Sequence, residues 1–367
     1  MSDTSNTANI KVVVGMSGGV DSTVSALLLK QQGYDVTGVF MKNWEEDDTQ
    51  QHCSATQDIE DVQAACDKIG IEFKKINFSY EYWENVFEYF LAEYKQGRTP
   101  NPDVLCNTEI KFKAFLNYAK TLNANYIATG HYAKTKLNAH GNIDLLIPKD
   151  TNKDQTYFLH GLTQQQLTMS IFPLANITKP EVREIAKQAR FANHNKKDST
   201  GICFIGERKF KDFLENYLPA RQGDIEDIDG KIIGKHDGIM FYTIGQRKGL
   251  GIGGIKDSDE NAWYVVDKDI TNNKIIVAQG GEHPRLYKTT LTAKDCNFIN
   301  PIRKKELSCQ AKIRYRQSVQ DCQVNLLDNN AIAVTFDNPQ RAITLGQSIV
   351  LYDNEICLGG GVITHCE

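Results

Sequence analysis

The sequence predicts an α/β protein in which a doubly wound, parallel-sheet domain comes first and two β-rich units follow it. Two patterns carry that expectation. In the first half, short β-branched runs alternate with helix-length stretches, the signature of a parallel sheet covered by crossover helices. Beyond about residue 205, glycine-rich turn pairs and short strand-like pieces replace the helices. The chain is also large enough: 367 residues, 41% hydrophobic and 24% charged, suit a globular protein of two or three domains.

The elements follow in order. Residues 11–15 (KVVVG) form a short apolar strand, and 22–32 form a helix stopped by Gly33. Residues 34–41 return to strand. Ser54 opens a capping-box pattern for a helix that Gly70 ends, and IEFKKIN follows as a strand. A helix from Ser79 carries Trp83, Phe87, Phe90, Leu91 and Tyr94 at helical spacing, a stripe that reads as core packing. After a proline-rich loop, TEIKFKAFLNYAKTLN reads as a helix and NYIATG as a strand. The expected units are residues 1–205, 206–280 and 281–367. The last is a small β-barrel or sandwich whose strands include CQVNLLD, AIAVTFD and QSIVLYD.

Composition narrows the function. No apolar run approaches the roughly 20 residues that span a bilayer, and MSDTSNTANIK reads as neither signal nor transit peptide. A cytoplasmic protein without a membrane partner is expected, and its nine cysteines should mostly be thiols. None are spaced CxxC and no Cys/His cluster has finger spacing, so neither structural zinc nor an iron–sulfur cluster is expected. Cys66, Cys296, Cys309, Cys322 and Cys357 read as core filler. A net charge of −4 does not advertise nucleic-acid binding. Locally, however, Arg303–Arg316 holds six basic residues and one acidic, with Tyr315 between Arg314 and Arg316. Such a run can grip phosphates and stack a base, or simply be a solvated face.

The most informative local sequence is Gly15-Met16-Ser17-Gly18-Gly19-Val20-Asp21-Ser22, between the first strand and the first helix. Its glycines let backbone approach a ligand, its N–H groups and helix end suit a phosphate, and Asp21 can hold Mg2+ bridging phosphate oxygens. The Walker A lysine is replaced by Asp21, and Ser17 breaks the GxGxxG fingerprint. The loop resembles instead the pyrophosphate loop (SGGxDS) of ATP pyrophosphatases, which transfer AMP to a carbonyl oxygen. A second glycine cluster, Gly249–Gly254, is followed by charges rather than an apolar helix, so it reads as a turn or RNA-facing loop.

Two cysteines occupy unusual settings. Cys106 follows a proline-stiffened loop just before a predicted helix start, and Cys203 lies in STGICFIG downstream of Lys196 and Lys197. Either setting can favour thiolate. NPDVLCNTEIKF (101–112), STGICFIG (199–206), GHYA (130–133), KDQTYFL (153–159), YTIGQRKGLGIGG (242–254) and KIRYRQ (312–317), together with the loop, resemble the bacterial-type tRNA-specific 2-thiouridylases over nearly the whole chain.

That resemblance implies a PP-loop domain of the adenine nucleotide α hydrolase-like type, a small central domain and a C-terminal β-barrel. It implies adenylation of the C2 oxygen of the wobble uridine in tRNAs such as those for lysine, glutamate and glutamine. Sulfur then arrives from a Cys203 persulfide, charged by a cysteine desulfurase or a relay protein, and a Cys106–Cys203 disulfide closes the turnover. ATP contacts are implied at Gly15, Met16, Ser17, Gly18, Gly19, Val20, Asp21, Ser22, Met41 and Gly130. Asp103 is implied as general acid/base beside the base, with Asn101 and Pro102. Further tRNA contacts are implied at His131, Lys153, Asp154, Gln155, Arg314, Tyr315 and Gln347. The rival readings are an amide-forming adenylating synthetase, a thiouridine synthase using an iron–sulfur cluster, and a non-catalytic RNA binder. The first needs an ammonia source, and the second lacks its CxxC.

Overall fold

The computed structural model describes residues 7–45, 54–197, 210–252 and 261–367. The chain enters through β1 (Lys11–Met16), β2 (Asp35–Lys42), β3 (Glu72–Asn77) and β4 (Tyr126–Ala128). A hairpin, β5 (Lys134–Leu137) and β6 (Ile143–Leu146), then leaves the sheet, and β7 (Ser170–Ile171) returns to it. The resulting five-stranded sheet has the order β3-β2-β1-β4-β7, and every pairing in it is parallel. Alternation along β1 sends Val13 into one apolar layer and Val12 and Val14 into the other, so the sheet is buried on both faces. The chain order reverses between β1 and β4, and a ligand crevice is expected beyond the carboxyl ends of those strands.

The helices cover this sheet much as their patterns predict. α1 (Val20–Gln31) ends at Gly33 and α2 (Ser54–Ile69) at Gly70, both glycines in the left-handed region at φ +88° and +73°. The aromatic helix runs through Ser79–Tyr82, a π turn at Trp83–Phe87 and Glu88–Lys95. Phe87, Phe90 and Tyr94 are buried, while Trp83 and Leu91 pack against them only partly covered. Phe210, Phe213 and Tyr217 join the stripe from the far end of the domain, with Phe213 5.9 Å from Phe87 and Phe210 5.4 Å from Tyr94.

The central unit is a four-stranded sheet of β8 (Gly223–Asp227), β9 (Ile232–His236), β10 (Trp263–Asp269) and β11 (Lys274–Gln279), in the order β10-β11-β8-β9. The last unit comprises β12 (Tyr287–Phe298), β13 (Glu306–Lys312), β14 (Gln320–Leu327), β15 (Ala331–Arg341), β16 (Ser348–Asp353) and β17 (Ile356–Cys366). Pairing of β12 with β17 closes these six antiparallel strands, so the unit is a barrel rather than a sandwich. Cys66, Cys296, Cys322 and Cys357 are core residues as expected, whereas Cys309 is only partly covered.

The first domain does not stop at its own boundary. The hairpin β5–β6 extends the barrel sheet, with Leu145 and Leu146 paired to Cys357 and Ile356. Beside this junction the Asp154 carboxylate meets Lys312 at 2.9 Å, with side-chain exposures of 4% and 12%. Tyr157 donates to the Ser348 carbonyl at 2.8 Å, and Asn297 donates to the carbonyls of His160 and Leu162 at 2.9 and 3.2 Å.

Burial holds the seam imidazole of His160 neutral, pushing its pKa down to about 4, and holds that of His131 well below the ordinary value. Both are therefore neutral in the fold, and the unfolded chain takes up their protons first as pH drops below about 6.5. Stability should be fully present above that pH and decline towards about pH 4, with His160 alone contributing about 3 kcal/mol of the loss. Urea titrations across this range test it, and a flat profile would contradict the assignment. Lys312→Met should cost about 3–5 kcal/mol by stranding Asp154, and Asp154→Asn in the same chain should recover part of that loss.

Candidate active site

The glycine loop occupies the predicted crevice. β1 ends at Met16 and α1 begins at Val20, so Ser17, Gly18 and Gly19 form the turn, with Gly18 at φ +73°. The Ser22 hydroxyl accepts the Ser17 N–H at 3.2 Å and donates to the Gly19 carbonyl at 3.1 Å, which fixes the loop from inside. Gly15 lies under Met41 and Phe115, whose atoms would stand 3.0 and 3.4 Å from a Cβ placed there. Gly130 follows β4 and forms the opposite wall. A Cβ on it would stand 2.7 Å from the Ser22 nitrogen and 2.9 Å from the Asp21 carbonyl carbon. Gly15, Met41 and Gly130 thus lie against the loop, while Met16 and Val20 are buried in the apolar layer beneath it.

Asp21 points out of this loop into a clamp. Lys179 Nζ bonds both its carboxylate oxygens at 2.8 and 2.7 Å, and the Tyr132 hydroxyl donates to one of them at 2.8 Å. Neither partner was expected from sequence. A clue was present, since Lys179 is the first residue of the helix Lys179–Gln188, where the helix dipole disfavours a cation unless an anion faces it. Asn193 is a second partner that the reading missed, donating to the Gly18 carbonyl at 3.1 Å and to Thr23 Oγ1 at 3.0 Å. The loop's geometry suits a polyphosphate.

The second wall carries the cysteine. Pro102 is the first residue of a helical stretch, and the Asn101 side chain caps it by accepting the Asp103 N–H at 3.2 Å. The stretch continues as a π segment over Cys106–Ala114 and then Phe115–Thr121. Cys106 therefore sits one turn inside the helix, not ahead of it as the sequence suggested, and is 1% exposed. Asn101, with Pro102 after it, took over the terminus. Asp103 lies one turn before Cys106 on the same face. Burial raises the Asp103 pKa, and the nearby Lys111 only partly opposes the rise.

Other predicted contacts divide into two groups. His131 adjoins this wall, its Nδ1 2.8 Å from Thr129 Oγ1 and its ring 5.8 Å from that of Phe112. Gln155 stays near, accepting the Tyr132 N–H through its side chain at 2.8 Å. Lys153 ends the short turn Thr151–Lys153 just before it. Asp154 instead faces Lys312 in the barrel seam, and its other oxygen accepts the Thr156 hydroxyl at 2.6 Å.

The barrel residues act on backbone. Gln347 donates to the Thr99 carbonyl at 2.7 Å, and Arg314 donates to the carbonyls of Arg341 and Ala342. Tyr315 packs on Phe158 at 4.4 Å, and the Phe158 carbonyl accepts from Asn107, the neighbour of Cys106. Of the basic run, Arg303, Lys304 and Lys305 are exposed, whereas Lys312 turns inward.

Cys203 falls outside the described residues, but both flanks of its segment are placed. Lys196 pairs with Asp58 and Asp61 at 2.7 and 2.6 Å, so it is committed to these carboxylates rather than free to favour a thiolate. On the other side, Phe210 and Phe213 belong to the same apolar cluster as Cys106. Gly253 and Gly254 also lie outside the described residues, while Gly249 and Gly251 adopt φ +80° and +67°, as turns do.

Gly130→Ala should press a methyl into the Ser22–Asp21 backbone and displace the loop. We expect kcat/KM for ATP to fall on the order of 100-fold with little change in RNA affinity. Pyrophosphate release measured against ATP concentration checks this, and an unchanged value would show that the two walls do not share one ligand.

Known proteins match this chain along nearly its whole length. Family models described as the tRNA methyl transferase HUP domain, the tRNA methyl transferase PRC-barrel domain and the aminomethyltransferase beta-barrel domain match residues 10–207, 211–279 and 288–363. The tRNA-specific 2-thiouridylase MnmA of Francisella tularensis subsp. holarctica (strain FTNF002-00 / FTA) is 62% identical over 97% of this chain and 99% of its own. That of subsp. novicida (strain U112) is 61% identical over the same shares. Among solved structures, a 4-thiouridine synthetase–RNA complex with bound ATP overlaps 57% of this chain and 50% of its own, at 16% identity and a TM-score of 0.35. Matched across all three of its domains and along nearly its full length, the chain belongs to the tRNA-specific 2-thiouridylase family.

Proposed function

We propose that this chain is an ATP-dependent tRNA-uridine 2-sulfurtransferase that turns the wobble uridine into 2-thiouridine, with AMP and diphosphate as the other products. The observation that carries the reading is convergence. Asn193, on the near flank of the Cys203 segment, bonds the Gly18 carbonyl of the phosphate loop, and Phe210 and Phe213, on the far flank, share an apolar cluster with Cys106.

The chemistry follows from what each group can do. The uracil C2 oxygen is a poor leaving group, and transfer of AMP from ATP to it makes the departing group AMP. Asp103, whose pKa is raised by burial, is suited to move a proton at the base. A persulfide on Cys203, supplied by a cysteine desulfurase or a relay protein, attacks C2 through its terminal sulfur and expels AMP. Cys106 thiolate then attacks the Cys203 sulfur, so the S–S bond to the base breaks, the thiocarbonyl forms and a Cys106–Cys203 disulfide remains. Two electrons from an external dithiol reset the pair. In the alternative order, Cys106 first frees hydrosulfide from the persulfide, and that anion attacks C2. Mg2+ accompanies the nucleotide with Asp21 as its protein ligand. Asn101, His131, Lys153 and Gln155 line the approach of the RNA, and Arg314, Tyr315 and Gln347 brace it from the barrel.

Cys106→Ser and Cys203→Ser should each abolish sulfur incorporation while leaving tRNA affinity within about twofold, a difference below about 0.4 kcal/mol. Mass spectrometry of nucleosides from tRNA incubated with ATP, Mg2+ and a persulfide donor reads the atom exchanged. Full activity in either variant would overturn the two-thiol scheme, and ADP in place of AMP would overturn the adenylation.

A further inference from the structure

A second cavity lies away from the crevice, where all three domains meet. Its volume is about 410 Å³, which falls within the size range of small-ligand sites. The first domain contributes the segment Gln96–Thr99, the central sheet contributes β10, and the barrel contributes the loop before β16 and the end of β17.

The charges around it are unequal. Lys268 Nζ reaches only a neutral acceptor, the Gly97 carbonyl at 3.0 Å, and its burial lowers its pKa to about 8. Arg285 and Lys288 stand on the wall with no carboxylate in ion-pair range among the described residues. Arg98 is neutralised by Glu93, and the carboxylate on the lining, Asp267, accepts the backbone N–H of Lys268 at 2.8 Å. Lys268 and Arg285 thus face one lining acid, Asp267, while Lys288 is shared with Glu367 beside the cavity. The remaining wall is apolar, with Val266, Leu286 and Ile343 prominent. Cationic groups at one side of an apolar cavity match a ligand with an anionic head and a flat organic body.

We propose that this junction is a nucleotide-phosphate site, taking either a backbone phosphate of the bound RNA or a free nucleoside monophosphate. Its position gives the binding a consequence. The wall residue Thr99 leads directly into the cap of the Asp103–Cys106 helix, so a phosphate bridging Lys268 and Lys288 would tie the central domain and the barrel across that segment.

This inference rests on the RNA-modifying reading, and its test separates the two. In the full-length protein, labelling of Lys268 by an amine-acylating reagent is quantified by peptide mass spectrometry with tRNA, with AMP, or with inorganic phosphate. The salt dependence of tRNA affinity is measured in parallel for wild type and for Arg285→Gln/Lys288→Gln, whose side chains stand at the rim and leave the core untouched. Protection by tRNA, with a log K against log salt slope lower by about one to two in the double variant, supports a strand phosphate. Protection by AMP and by inorganic phosphate, lost in the double variant, supports a free nucleotide. Absence of protection by all three overturns the site, as does protection by tRNA alone with an unchanged slope, which marks mere covering. Sulfur transfer that persists in those circumstances leaves the enzyme reading standing.

Discussion

Thr99 is bonded at both its backbone groups to the loop that closes the barrel. Its N–H donates to the Leu345 carbonyl at 2.9 Å and its carbonyl accepts from Gln347, while its hydroxyl lies 3.2 Å from that of Thr243 in the central domain. Gly346 makes the approach possible. At φ +89° a side chain there would be strained, and its Cβ would stand 3.0 Å from the Thr99 backbone. Each bond is worth only about 1 kcal/mol. Together they set where the helix after Pro100 can begin, and hence where Asp103 and Cys106 stand relative to the phosphate loop. The Asp103–Cys106 turn of the first domain is thus positioned by the two domains that come after it in sequence.

The crevice itself is organised by charges waiting to be exchanged. Asp21, Lys179 and Tyr132 satisfy one another across the two walls, a low-dielectric arrangement that is costly to break unless a ligand replaces the partners. A polyphosphate with its metal would do so symmetrically, giving Asp21 a cation and Lys179 an anion. The same clamp keeps the loop and the Gly130 wall in register before any ligand arrives, which lowers the ordering cost of binding. Asp103 sits under the opposite constraint, with burial favouring its neutral form.

Local pattern made the sheet, its helices and the glycine loop legible, because each is specified by residues close together in the chain. The valines of β1, the stops at Gly33 and Gly70, and the aromatic stripe all stand where periodicity put them. What escaped were pairings between distant segments. Lys179 carries no mark of its role in the local sequence, since Asp21 lies 158 residues away. Asp154 looked like part of an RNA-contacting motif, yet its carboxylate belongs to Lys312. The hairpin β5–β6 had no sequence mark of joining a barrel completed more than 200 residues later, because edge pairing needs only backbone and a suitable register. Helix termini were misjudged at Cys106 because Asn101 and Pro102 supply a better start than the residues after it.

Burial of Cys106 and the reactive role proposed for its sulfur are reconciled by the helix that carries it. A thiol in an apolar shell is protected from stray oxidants, and under the proposed scheme it would have to move to meet a second sulfur, since a disulfide requires the two Cα atoms to come within roughly 4.4–6.8 Å. Cys106 is the first residue of a π segment. Such a segment closes its hydrogen bonds between residues five apart rather than four, and insertions of this kind in α-helices are frequent at functional sites. Upstream, only a single four-residue turn, Pro102–Leu105, separates it from the cap. Downstream, Ile110, Phe112 and Phe115 are fully buried and hold the rest of the stretch to the sheet. Any rearrangement that presents the thiol is therefore confined to the turn bearing Asp103 and Cys106, the same turn that Thr99 ties to the central domain and the barrel.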